Sequence, residues 1–234
     1  LETVGFRTIE RIFLTHHHHD HASGALDLQH KTGAPIACHP ETARRLDFPV
    51  QELWSDGDCL KTGEREWKVI HTPGHATGHL CLHDGKDGTV IAGDMVAGEG
   101  TILLEPDEGN LADYLDSLRR LVGLEPHRLL PAHGPVLTDA IATLTEYIHH
   151  RPMRTEQIIR SLELRNEAST IMDIVPTIYT QLDPKFFGFA ALQLRSHMNW
   201  LMDHDIIRET APARYSLRDP TKLQVVIDEN GWLS

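Results

Sequence analysis

Thr15-His16-His17-His18-His19-Asp20-His21 sets five imidazoles and one carboxylate directly after the short apolar run Ile12-Phe13-Leu14. In extended backbone, residues i and i+2 face the same way, so His16 and His18 can converge on one cation. Asp20 and His21 stand where the chain turns toward a helix and can reach a second cation beside the first. His17 and His19 point the other way and have no assigned role. Imidazole with carboxylate is a ligand set for zinc, and also for iron or manganese. An affinity tag would be terminal and longer, and it would not run straight into Asp-His.

Three later segments repeat the pattern: His71-Thr72-Pro73-Gly74-His75-Ala76-Thr77-Gly78-His79, then Ala92-Gly93-Asp94, then Pro131-Ala132-His133-Gly134. Each puts a ligand-type side chain just after a short strand, beside a glycine that lets backbone approach closely. Singly each is weak. Four in chain order within one domain are not.

Around these motifs the first half alternates strands and helices. Residues 11–15 read as a short buried strand, 22–31 as a helix stopped by Gly33-Ala34-Pro35, and Ile36-Ala37-Cys38 as a strand. A helix opened by Pro40 follows. Residues 67–72, 80–82 and 90–92 read as strands. Asn110 can cap a helix whose Leu111, Tyr114, Leu115, Leu118 and Leu121 form an i, i+3, i+4 stripe. Arg128-Leu129-Leu130-Pro131 is one more strand. From about residue 140 the pattern turns helical, through 172–179 and 189–202, and two short strands at 206–209 and 214–217 follow. Three helices and a strand pair are the order of a winged helix. In the last helix Leu192, Leu194, Met198 and Leu201 read as core, which makes Arg195, His197, Asn199 and Trp200 a weak nucleic-acid face. Dimerisation, giving a homodimer, or lid formation suits that tail equally.

The segments THHHHDH, HTPGHATGH, GD and PAHG resemble the metal-binding motifs of the metallo-β-lactamase superfamily, and within it the glyoxalase II and RNase branches. The resemblance implies an α/β fold, the αββα sandwich. It further implies that His16, His18 and His75 hold one metal ion, that Asp20, His21 and His133 hold the other, and that Asp94 bridges them. His79 is implied as a group behind the ligands, and Asp20, Asp94 and His79 as the catalytic residues. Residues 151–234, after a catalytic domain at 1–150, are similar to the winged helix appended in the β-lactamase-like-protein-2 group. That family places strands before its first His motif, whereas only fourteen residues precede Thr15, so those N-terminal strands are expected to be missing.

The 234 residues carry a net charge of −12, unevenly spread. Residues 1–150 hold 12 Lys/Arg against 23 Asp/Glu, and 151–234 hold 10 against 11. An acidic body repels phosphate backbones unless metals or a local basic patch reverse the field. Three scattered cysteines, none in a CxxC spacing, exclude a thiolate zinc site and fit a reducing cytoplasm. Cys81, between Leu80 and Leu82, reads as a buried inert thiol. No apolar run is long enough to cross a bilayer, so no membrane partner is expected. The expected activity is that of a dinuclear metal-dependent hydrolase using a metal-bridging hydroxide. The two ions are expected to be zinc, with iron or manganese as alternatives. Single-stranded RNA is the first substrate reading, and a small-molecule ester or thioester the second. Because imidazoles must be neutral to bind metal, activity is expected to fall below about pH 6. True β-lactamases of this fold carry Cys, Ser or His where this chain has Asp94, which counts against antibiotic hydrolysis.

Overall fold

The computed structural model describes residues 8–105 and 107–224. Residues 1–7 and 225–234, the outer ends of the two expected domains, lie outside them. The first segment builds β1 (Ile12–Phe13), α1 (His19–Ala22), α2 (Ala25–Thr32), β2 (Ile36–Cys38), α3 (Pro40–Ala43) and β3 (Glu52–Leu53). The three strands form a parallel sheet in the order β1-β2-β3, with Ile12 opposite Ile36 and Ala37 opposite Glu52. Every residue of β2 is buried, as a central parallel strand covered on both faces must be.

The expected helix at 22–31 is two helices. The His18 carbonyl accepts from His21 and Ala22 N–H at 2.9 and 3.0 Å, so α1 begins inside the histidine run. Asp20 and His21 are therefore helical, whereas His16 and His18 stand on the segment before α1, and the His21 ring packs 4.0 Å from that of His16.

A second sheet runs β4 (Cys59–Thr62), β5 (Arg65–His71), β6 (Leu80–Asp84), β7 (Thr89–Gly93), β8 (Arg128–Pro131) in spatial order. Its first four strands are antiparallel neighbours; β8 is parallel to β7. A parallel return needs a crossover, and α4 (Leu111–Val122) supplies it. As expected, Asn110 caps α4, accepting from Asp113 N–H at 3.1 Å. Leu60, Val69, Leu80 and Leu82 meet Phe13 and Trp54 between the two sheets. On the far face, Ile70, Val90 and Leu129 pack with Tyr114, Leu115, Leu118 and Leu121 of α4. The first sheet is closed by the cluster of Ile12, Leu14, Ala22, Ala25 and Ile36. Helix, sheet, sheet and helix layers result.

The remaining elements are α5 (Ala140–Arg165), α6 (Ile171–Ile178), a 3₁₀ turn at Pro184–Phe186, α7 (Phe187–Asp203), β9 (Ile207–Ala211) and β10 (Arg214–Leu217). β9 and β10 pair antiparallel as the wing. The boundary expected at residue 150 falls within the 26-residue α5. One continuous hydrophobic cluster reaches from Val90 and Leu121 through Ile148 and Ile158 to Leu201 and Tyr215. On α7 the expected core residues Leu194, Met198 and Leu201 are buried, but the core face is wider than expected and leaves Leu192 out. His197 and Trp200 are buried, whereas Leu192 is 41% exposed, because the buried stripe runs Ala190, Gln193, Leu194, His197, Met198, Leu201. Among the described residues, no helix is long and apolar enough to cross a membrane.

Candidate metal centre

All four motifs end at one place, at the edges of the two sheets. Thr15 links them directly, its carbonyl accepting from Leu80 N–H at 2.8 Å. This bond sets His16, next in the chain, against the loops that follow β5 and β7.

His16, His18 and His75 form the first ligand group. His16 Nε2 lies 3.1 Å from His18 Nδ1 and 3.3 Å from His75 Nε2. Two nitrogens about 2.05 Å from a tetrahedral zinc would stand roughly 3.3 Å apart, so these separations suit a shared cation. The ring nitrogens turned away from this point have partners of their own. His75 Nδ1 is 2.7 Å from the Leu103 carbonyl and His16 Nδ1 is 3.1 Å from Thr15 Oγ1. His18 Nε2 faces Glu108 at 3.6 Å.

Asp20, His21 and His133 form the second group. Asp20 Oδ2 is 3.4 Å from both His21 Nε2 and His133 Nε2. Asp94 stands between the groups. Its Oδ2 is 3.4 Å from His75 Nε2 and from His21 Nε2, and its Oδ1 is 3.6 Å from His133 Nε2. The structure thus brings all seven sequence-predicted ligands together, with the carboxylate placed where a bridging group would be.

The donor set fits two cations on a second ground. His21 Nε2 and Asp94 Oδ1, both turned into the site, are buried atoms without a hydrogen-bond partner of normal length. Unpaired buried polar atoms cost free energy, and a cation satisfies several lone pairs at once. Burial, followed by the neighbouring imidazoles, pushes His16 far below its usual range. Burial brings His75 to about 4. Both rings are held in the neutral form that binds metal. Burial alone would raise Asp94, but the hydrogen bond and charge of His21, then His75 and His133, leave it lowered.

His79 lies behind the ligands. It is fully buried, and its Nε2 accepts from Asp94 N–H at 3.0 Å while Nδ1 meets Thr72 Oγ1 at 2.8 Å. Burial pushes it down to about 3, so it is neutral with its proton on Nδ1. Both nitrogens are occupied, which makes His79 a positioning residue for Asp94. The catalytic role expected for it is corrected accordingly. Gly93 permits this contact: its φ is +50°, and a Cβ there would stand 2.5 Å from His79 Nε2.

Sequence reasoning missed Glu108, from the loop before α4. Its carboxylate contacts His17 Nε2 at 3.1 Å, Thr77 N–H at 3.1 Å and Arg45 Nε at 3.1 Å. Burial would raise it, but hydrogen bonds from His18 and Thr77 with the charges of His17 and Arg45 hold it at about 2. His17 is consequently not idle; it braces Glu108 beside His18. No local pattern marks Glu108, since its partners are scattered along the chain.

Comparisons with known proteins agree with this arrangement. A sequence profile described as the metallo-beta-lactamase superfamily matches residues 4–133, and one described as the beta-lactamase-associated winged helix domain matches 170–214. The Beta-lactamase-like protein 2 homolog of Drosophila melanogaster is 30% identical over 92% of this chain and 76% of its own length. Other curated relatives are spanned less fully, for example 57% of the Caenorhabditis elegans homolog. A metallo-beta-lactamase family protein from Thermus thermophilus superposes with a TM-score of 0.77 at 22% identity, over 93% of this chain and 83% of that one. A protein solved in a di-iron-bound form gives 0.50 at 27% identity, over 60% and 77%.

Proposed function

The chain belongs to the metallo-β-lactamase superfamily, and from that premise we propose that it is a dinuclear metal-dependent hydrolase cleaving phosphodiester bonds of single-stranded RNA. The observation that carries the hydrolase reading is the convergence of His16, His18, His75, Asp94, Asp20, His21 and His133 on one pocket. His16, His18 and His75 would hold one ion, Asp20, His21 and His133 the other, and Asp94 would hold both. Two such cations, zinc or iron as in the protein solved in a di-iron-bound form, would, when bound, supply an acidified water and charge neutralisation at the leaving oxygen.

The chain's own residues do the rest. His79 fixes the backbone of Asp94, and Leu103 and Glu108 fix the rings of His75 and His18. Asp20 and His133 have side chains 61% and 49% exposed, against 0% for His16. Substrate therefore approaches from their side. Asp20 lies at that mouth, where a carboxylate can orient the attacking water. In a chain of net charge −12, a phosphate-bearing substrate needs local cations, and Arg151 and Arg154 lie on α5 near the loop after Asp94. The acidic surface favours the second reading, hydrolysis of a small thioester or other acyl compound.

Metal analysis followed by parallel assays on single-stranded RNA, a glutathione thioester and a generic phosphodiester tests the proposal. The expected outcome is two metal ions per chain, with RNA cleaved fastest. Thioester turnover with intact RNA would refute the substrate assignment; a metal-free active protein would refute the hydrolytic one.

A further inference from the structure

A cavity of about 440 Å³ lies between the loop at residues 97–101, one face of α5, the end of α6 and α7. Its size is that of a small-ligand site, and none of the seven metal-site residues lines it. Its walls hold polar groups the protein leaves unmatched. The Arg151 guanidinium is 4% exposed and contacts the Ile102 carbonyl at 2.9 Å and the face of Tyr114 at 4.9 Å. Arg154 gives Nη1 to Gln157 Oε1 and lies 4.4 Å over the Tyr179 ring, while its Nε is buried without an acceptor. Gln193 is 6% exposed, donates Nε2 to the Ile102 carbonyl at 3.2 Å and leaves Oε1 with no donor.

Among the described residues, no carboxylate stands within ion-pair distance of Arg151 or Arg154. A buried cation without a counter-charge is costly, which makes Arg151 unusual in so acidic a chain, with the half-buried Arg154, whose Nη2 also meets His150 Nε2 at 3.4 Å, one turn along. His197 reports the local field. Burial first, then the charges of Arg151 and Arg154, push it well down. Glu146 is the one carboxylate at the cavity wall, and it is exposed at the rim.

The unmatched groups define a ligand. Two guanidinium groups call for an oxyanion, and the open amide oxygen of Gln193 calls for an N–H or O–H donor. The Tyr179–Arg154 pair offers a flat platform of the kind on which bases stack. A nucleotide carries all three features. A peptide-like thioester carries carboxylates and N–H groups but no flat ring. The position also fits. Ala97 lies three residues beyond Asp94, a reach of at most roughly 11 Å along the chain, and Gly98 N–H donates to the His133 carbonyl at 2.7 Å.

We propose that this cavity is a nucleotide subsite, in which Arg151 and Arg154 hold a phosphate, Gln193 accepts from base or sugar, and the Tyr179–Arg154 pair stacks the base. The subsite deepens the RNA reading above and rests on it: it receives a nucleotide flanking the one cleaved at the metal cluster.

Calorimetric binding of adenosine 5′-monophosphate to the metal-loaded full chain tests it, with inorganic phosphate and glutathione as parallel probes. The nucleotide is expected to bind more tightly than phosphate, and glutathione not to bind. Arg154→Gln should weaken nucleotide binding about tenfold or more, as loss of a charge-assisted fork does, with Arg154→Lys intermediate. Metal content and melting temperature, measured on both variants, should match the parent. The subsite is overturned if the nucleotide fails to bind, binds no better than phosphate, is displaced in preference by glutathione, or binds both variants as it binds the parent. RNA cleavage on the same preparations separates the two proposals. Cleavage with Arg154-independent nucleotide binding refutes the subsite alone; Arg154-dependent binding without cleavage refutes the RNA reading alone.

Discussion

His16, His18 and His75 on one side of Asp94, and Asp20, His21 and His133 on the other, use the same chemistry in opposite surroundings. In the first group His16 and His75 are 0% and 4% exposed, and the outward nitrogens meet Thr15, Glu108 and the Leu103 carbonyl. In the second, Asp20 and His133 are largely open to solvent. Packing holds the first group in place whether or not an ion is bound. The second is assembled from a helix start and a loop, on the solvent side of Asp94. The difference teaches that two ligand groups of the same chemistry need not be equally sheltered: one is packed into the core, the other open to solvent.

Replacing a ligand breaks this contrast most severely. His16→Ala removes the ring at the centre of the anchored half. Turnover is expected to fall by more than about a hundredfold, beyond the range for loss of a supporting group, and metal content to drop toward zero. Unchanged turnover would sink the assignment. His133→Ala should be milder for metal binding, leaving one tightly held ion per chain by mass spectrometry. If it stripped both ions, the two halves would not be separable.

Chelation sharpens the same point without mutation. Titrating a chelator into the loaded protein should remove metal in two phases, the first ion leaving while the second stays. A single phase would mean that burial does not distinguish the halves. Glu108→Gln acts on the anchored half alone and should weaken its ion by about 10–100-fold, the usual cost of removing an outer carboxylate from a ligating imidazole. Equal weakening of both ions would contradict the contact with His18. The smallest effect is expected from Arg45→Gln. Its ion pair with Glu108 is partly exposed and such pairs contribute about 0–1 kcal/mol, so metal affinity should change by no more than about fivefold.

The ligands were legible because each is a local event. A strand ends and a histidine or aspartate follows; His16, His75, Asp94 and His133 all obey this pattern, the last three beside a glycine. Most of the strand, helix and wing order was legible from periodicity for the same reason, though β3 and β4, short and largely exposed, were not. Buried Cys81, raised to about 12 by desolvation, is the inert thiol its neighbours predict. Glu108 was not legible, since its meaning depends on Arg45, Thr77 and His18 meeting in space. The start of α1 inside the histidine run was missed because a hydrogen bond from the His18 carbonyl, rather than side-chain period, begins it. On α7 only Leu192 and the polar positions were misjudged, because the Ile102 carbonyl and Thr155 of α5 give buried partners to Gln193 and His197.

From the order of residues came four motifs of ligand-type side chains and, through the family they resemble, the seven candidate ligands and the layered fold, since strand ends and helix stripes are short-range consequences of side-chain type. Which ligands are sheltered, what holds them from behind, and where two arginines on α5 face an unfilled cavity were decided only when the chain closed. Burial and charge at a point are sums over every segment that reaches it, and those segments are distant in sequence.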